Sequence, residues 1–315
     1  MPLKVFTSLA FAMILVAIVG HAPEAKAISC SYSIGSPNFG ALSPLDNQQV
    51  LTQTTFTATC SGTANQDVKV CLHLGNGTTS PRQMTSNSNL LNYEIYQDAA
   101  RTQRWGSGVS PASGEPTPLF LHLPETAGVE VSKTQTLYLK LFSGQQNAVP
   151  GAYLSNFAGS QTAVAVVAAA TGTCSTYQTV QRVPFIVSAT VAPECEVTAG
   201  PMNFGSRGVL AAAADASANI NVRCTSTTPY AISVGNGRNG SSPTSRKMAL
   251  RQNSIAYGLF SDAARRTVLG SAPGQTIGGS GSGVWTALPI YGRVPPQATP
   301  PAGAYADVVV ISITY

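Results

Sequence analysis

Charge is scarce in this 315-residue chain. Asp, Glu, Lys and Arg make up 10% of it, with 18 basic residues against 13 acidic. So small an excess, with no basic stripe, excludes a nucleic-acid partner, whose phosphates demand one. Histidine is scarcer: beyond the first 27 residues there are only His73 and His122. Neither has a second histidine or a carboxylate at metal-ligand spacing, so both read as strand residues and no metal or cofactor is expected. Serine is plentiful, but there is no Gly-x-Ser-x-Gly elbow and no His/Asp partnership. No enzyme is expected. The glycine-rich run from Gly278 to Gly283 lacks the lysine and following helix of a phosphate loop and reads as a flexible loop. Trp105 and Trp285 read as packing residues rather than sugar platforms. Long apolar runs are missing after residue 27: residues 163–170 fall far short of the ~20 needed to span a bilayer. No amphipathic helical stretch of ten residues is visible.

What is present begins with an address. Lys4, an apolar run over residues 5–20 and the small-x-small triplet Ala25-Lys26-Ala27 have the anatomy of a secretory signal peptide. Residues 1–27 are therefore expected to be removed. The rest is long enough for two domains of roughly 100–150 residues. Six cysteines in an exported chain favour disulfides over metal or redox chemistry.

The chain repeats itself once. Cys30 and Cys195 are each followed nine residues on by a phenylalanine, in Asn38-Phe39-Gly40 and Asn203-Phe204-Gly205. Cys60 and Cys224 come next, then Gly75-Asn76-Gly77 and Gly235-Asn236-Gly237. Arg82-Gln83-Met84 matches Arg246-Lys247-Met248. The stretch from Tyr93 to Arg101, containing Asp98-Ala99-Ala100-Arg101, matches that from Tyr257 to Arg265. Gly151-Ala152-Tyr153 matches Gly303-Ala304-Tyr305. Two copies at so long a period indicate tandem domains rather than a solenoid, here 28–192 and 193–315. Residues 55–60, 68–72, 137–142, 220–224 and 308–315 alternate with period two, and Gly and Asn punctuate them. The fold class is all-β, with two β-sandwiches. If the domains are alike, Cys30 pairs with Cys60 and Cys195 with Cys224. Cys71 and Cys174 remain for each other.

The Cys-x8-Phe-Gly opening, the second cysteine, the Tyr-x-Leu-Phe-x-Asp stretch (Tyr257 to Asp262), Ile290-Tyr291-Gly292-Arg293-Val294-Pro295 and the terminal Pro301-Ala302-Gly303-Ala304-Tyr305-Ala306-Asp307 resemble the spore coat protein U domain. That domain occurs in subunits of archaic, Csu-type chaperone–usher pili. The match is specific over 195–315 and looser over 30–190, where residues 119–136 look inserted. The resemblance implies immunoglobulin-like domains, the second incomplete and completed by a strand donated from a neighbour. It also implies a periplasmic chaperone, an outer-membrane usher and the next pilin subunit as partners.

The residues support this. Over 180–191, Val183, Phe185, Val187, Ala189 and Val191 share one face and form an apolar comb. It sits just before Cys195, where a pilin of that family carries its donor strand, and is expected to close domain one in cis. Only Ile28 and Ser29 precede Cys30 after cleavage, so no donor strand is expected there. Val309, Ile311, Ile313 and Tyr315 line the last alternating strand, offered to a chaperone or donor. A subunit that accepts and does not donate belongs at the tip of a fibre. The expectation is thus a tip adhesin, exported through the periplasm to the cell surface, acting in attachment and biofilm formation; the alternative is a structural coat or fibre-body subunit. Adhesive loops are expected at the pole of domain one away from domain two: Val109, Pro111 and Ala112 in the connection after Asp98, and Ala169 and Ala170. Val149 and Pro150 are a further pair, although strand parity places them near domain two. The target is an apolar abiotic surface or a host glycan.

Overall fold

A computed structural model describes residues 1–2, 27–63, 65–75, 80–108, 114–167, 172–174 and 180–315. The apolar run over residues 5–20, as well as Val109, Pro111, Ala112, Ala169 and Ala170, lies outside them. The described residues are strands, turns and two short 3-10 turns, with no helix long and apolar enough to cross a membrane. This is an all-β protein.

In the first half, one curled sheet runs in the order β1 (Ser29–Ile34), β3 (Val50–Ser61), β8 (Val131–Leu141), β6 (Asn89–Tyr96), β5 (Arg82–Ser86), β9 (Gly151–Phe157), β12 (Phe185–Val191), β2 (Asn38–Leu42). A second runs β11 (Val180–Gln181), β10 (Thr162–Val167), β4 (Asp67–Leu74), β7 (Leu119–His122). Their inward residues form one core, with Phe56, Tyr93, Trp105, Leu139 and Tyr153 fully buried. Trp105 donates its indole N–H to the Leu72 carbonyl at 2.8 Å, which satisfies a polar atom that burial would otherwise orphan.

The second half repeats the plan with fewer strands. One sheet runs β13 (Cys195–Ala199), β14 (Ala214–Cys224), β19 (Thr286–Val294), β17 (Asn253–Phe260), β16 (Arg246–Leu250). The other runs β18 (Ile277–Ser280), β15 (Pro229–Val234), β20 (Ile311–Thr314). A separate core gathers around Ile220, Ile232, Val234 and Leu269.

The cysteines bridge Cys30–Cys60, Cys71–Cys174 and Cys195–Cys224, and none is free. The first and last join directly opposed residues of β1 with β3 and of β13 with β14. They are the same staple in each half.

Three sequence expectations need correction. Residues 119–136 are not wholly an insertion: Leu119–His122 form β7, which pairs with β4 as β18 pairs with β15, and only the stretch between β7 and β8 is longer than its counterpart. The run beginning at Gly278 is not simply a loop, because Gly278, Gly279 and Ser280 belong to β18. A Cβ on Gly279 would stand 2.4 Å from the Tyr230 ring, so glycine here reflects close approach rather than flexibility. The comb is not one strand. It breaks into β11 and β12 around Pro184, which has no N–H to give a ladder.

The repeated Asp-Ala-Ala-Arg is a turn device. Asp98 accepts the backbone N–H groups of Gln103 (2.7 Å) and Thr102 (3.0 Å), and Asp262 those of Thr267 (2.7 Å) and Arg266 (3.0 Å). Arg101 and Arg265 take φ of 57° and 58° and reach back to the carbonyls of Leu139 and Gly292. The bonds from Gln103 and from Thr267 are the main reason each carboxyl lies below the usual carboxylate range. A depressed folded value contributes stability above the unfolded pKa, about 3.9, and the contribution is lost as pH falls through the lower folded value. Asp262→Asn should therefore flatten the acid limb of the melting temperature of the second half, read by circular dichroism. A parallel fall in both proteins would count against this role for Asp262.

Candidate functional site

The two halves differ most at one place. In domain one β12 lies between β9 and β2. It runs antiparallel to β9 from Phe185↔Phe157 to Val191↔Gly151, and parallel to β2 through Ser188↔Asn38 and Val191↔Leu42. Its alternate side chains Phe185, Val187, Ala189 and Val191 are buried in the core, with Phe185 stacked on Phe157 at 4.4 Å between ring centroids. Val183 lies ahead of the strand but is also buried, and its carbonyl accepts the Thr162 hydroxyl at 3.0 Å. Each buried Val or Phe contributes roughly 1.5–3 kcal/mol. Together the comb is comparable to the whole net stability of a domain, about 5–15 kcal/mol.

In domain two the same place is empty. Residues 203–207 and 303–309 correspond to β2 and β9, and the register is visible in shared details. Asn38 and Asn203 each accept the N–H of the glycine two residues on, both at 2.8 Å. Tyr153 donates its hydroxyl to the Val149 carbonyl and Tyr305 to that of Pro301, at 2.7 and 2.8 Å. Thr85 of β5 opposes Leu154 of β9, and Ala249 of β16 opposes Ala306. Between the two segments, in place of a strand, lies a groove of about 570 Å³ lined by Met202, Phe204, Arg207, Leu210, Met248, Ile255, Val294 and residues 299–305.

The groove's walls lack the cover that their counterparts have. Phe39, Met84, Leu91 and Tyr153 are buried under β12; Phe204, Met248, Ile255 and Tyr305, at the matching positions, are only half-buried. The backbone is open too. Among the described residues the amides of Tyr305, Asp307 and Val309 have no hydrogen-bond partner, whereas Tyr153, Ser155 and Phe157 face β12 across the ladder. An apolar trough beside a row of unpaired amides is a template for another strand.

The terminal strand extends only over Ile311–Thr314, shorter than the alternation over 308–315 suggests. Ile311 and Ile313 pair with β15, and with Val309 they pack half-buried on the second core, while Tyr315 is exposed. Val309 falls outside the strand because its groove-side neighbour is missing. Asp307, two residues beyond Tyr305, accepts the Tyr257 hydroxyl at 2.7 Å and the Arg238 N–H at 2.9 Å. Burial of the Tyr257 hydroxyl, with Asp307 beside it, holds its pKa far above the usual phenol range.

The other sequence candidates separate. Val149 and Pro150 are half-buried in the turn fastened by Tyr153. The neighbouring Gln146 carbonyl stands 2.1 Å from where a Cβ on Gly283 of domain two would be, so this turn lies at the junction. His73 is buried in β4, its Nδ1 accepting the Gly108 N–H at 3.1 Å, and burial lowers its pKa to about 4. His122 pairs with Asp67 on an exposed face at 2.7 Å. Among the described residues no three His, Cys, Asp or Glu side chains group as metal ligands. Arg207, on the rim of the groove, was not singled out from the sequence. Only its register with Leu42 could have marked it.

Two β-sandwiches, one closed by its own strand and one open along the same seam, define an immunoglobulin-like, strand-complemented class of domain. The chain belongs to the Spore Coat Protein U domain family, which it matches over residues 20–159 and 181–312. It is 26% identical over 129 residues to Protein U of Myxococcus xanthus, covering 37% of this chain and 72% of that one. The fold is similar to that in the crystal structure of the CsuC–CsuE chaperone–tip adhesion subunit pre-assembly complex from archaic chaperone–usher Csu pili of Acinetobacter baumannii. There the TM-score is 0.54 at 17% identity, covering 91% of this chain and all of that one. The CupB6 tip adhesin of Pseudomonas aeruginosa matches with a TM-score of 0.42 at 12% identity, over 92% of this chain and 94% of that one.

Proposed function

We propose that this protein is a two-domain pilus subunit, 28–192 and 193–315 after removal of residues 1–27, and that it caps the fibre as a tip adhesin. One observation carries the reading: the groove of domain one is filled by the chain's own strand, and the matching groove of domain two is empty. The comb before Cys195 is engaged in cis, so it is not free to serve a neighbour. Domain two then accepts, first from a periplasmic chaperone and, after passage through an outer-membrane usher, from the next subunit. The similar Csu structure, a chaperone–tip adhesion subunit pre-assembly complex, supports a chaperone as the first of these partners.

Domain one carries the adhesive pole. The connections around Val109, Pro111 and Ala112 and around Ala169 and Ala170 are the proposed contacts, docking on an apolar surface by dehydrating it, with avidity from many pili per cell. Val149 and Pro150, at the junction, are left out. Immunogold labelling of pili should place the protein at fibre ends. Label along the shaft or throughout a coat would overturn the tip assignment in favour of a structural subunit. Val109→Asp combined with Ala170→Asp should leave pili intact and abolish attachment to plastic; intact pili with full attachment would reject these loops.

A further inference from the structure

We propose that Arg207 selects the incoming subunit, by pairing with an acidic residue that follows the donor comb. The inference rests on the reading of the groove as a strand acceptor, and domain one supplies its geometry. There β12 ends with Val191 beside Leu42 of β2. Three positions on, Glu194 turns back toward the next residue of the wall, and its Oε2 accepts the Ser43 hydroxyl. The backbone of Glu194 belongs to the following domain: its N–H donates to the Thr225 hydroxyl at 2.8 Å and its carbonyl accepts the Thr225 N–H at 2.9 Å. An acidic residue between a comb and the first cysteine of the next domain is thus anchored on one side and presented to the acceptor on the other.

In the open groove the acceptor side has changed. The repeat places Arg207 at the position of Leu42 and Gly208 at that of Ser43. Leu42 is buried; Arg207 is exposed on the groove rim. Among the described residues Arg207 has no ion-pair partner. The wider field agrees. Residues 193–315 hold nine Lys and Arg against five Asp and Glu, while residues 28–192 hold seven of each. The excess positive charge of the two domains is therefore confined to the one with the open groove. A groove that needed only apolar teeth would gain nothing from a cation where its closed counterpart buries a leucine. A merely solvated arginine would be indifferent to the charge of the strand's extension.

The test uses the full chain and a labelled synthetic peptide with the sequence of residues 180–194, whose comb is the one that fills domain one. Binding by fluorescence anisotropy should weaken roughly three- to tenfold for Arg207→Glu, less for Arg207→Gln, as expected of a partly exposed ion pair turned repulsive. A peptide with Glu194→Gln should lose about the same on the wild-type protein and nothing on Arg207→Glu. A peptide with Glu194→Lys should recover binding on Arg207→Glu. High salt should erase these differences. Equal affinities across all pairs would overturn the role of Arg207 and leave the acceptor reading standing. No binding of any peptide to any of the proteins would overturn the acceptor reading itself.

Discussion

Replacing Val187 by Asp in the full chain should unfold domain one while leaving domain two as it was. Val187 is fully buried at the centre of β12, flanked by Phe185 and Ala189 on the same face. The substitution removes an apolar side chain and places a carboxylate in the core of the sandwich. Such a group costs several kcal/mol or shifts its own ionisation to avoid the charge. Phe185→Ala is the gentler form. Loss of a buried aromatic costs about 3–5 kcal/mol, which for a domain of this size lowers the melting temperature by roughly 10 °C. Calorimetry of the full chain with a peptide of residues 180–191 filling the groove of domain two would separate the domains as two transitions. If Val187→Asp leaves the first transition in place, β12 is not what closes domain one.

The second large effect concerns the domains apart. A fragment of residues 28–192 contains β12 and should melt cooperatively as a monomer. A fragment of residues 193–315 has the same groove and no comb. It forgoes the several buried side chains that β12 contributes in domain one, an amount close to a domain's net stability. It should aggregate through its open edge and be rescued by a peptide carrying the comb of residues 180–191. Stabilisation would grow with peptide concentration, as expected when a ligand binds only the folded form. A cooperative melt of 193–315 alone, unmoved by peptide, would mean that the domain is already complete.

How much of this was legible in the sequence depends on the kind of signal. Repetition carries topology well, because equal spacing between a cysteine, a phenylalanine and a second cysteine reproduces equal register: Cys30 opposite Cys60, Cys195 opposite Cys224. Alternation carries burial well wherever both neighbouring strands exist, as for the comb. It fails at Val309, whose alternation looks strand-like but whose ladder partner is missing. Glycine misleads at Gly279, where the same residue that marks a flexible loop also serves a close approach to Tyr230. Proline was present in the comb at Pro184 and should have signalled the break between β11 and β12. The emptiness of the second groove could be inferred only by aligning the two halves. Arg207 becomes visible only when that alignment is read position by position against a structure that shows Leu42 buried.

The difference between the two seams is central, and native-state hydrogen exchange on the full chain reads both at once. The amides of Tyr153, Ser155 and Phe157 should exchange slowly, because β12 covers them. Those of Tyr305, Asp307 and Val309, at the matching positions, should exchange near the unprotected rate and become protected when the comb peptide is added. Equal protection of the two sets before any peptide is added would contradict the claim that domain two is open.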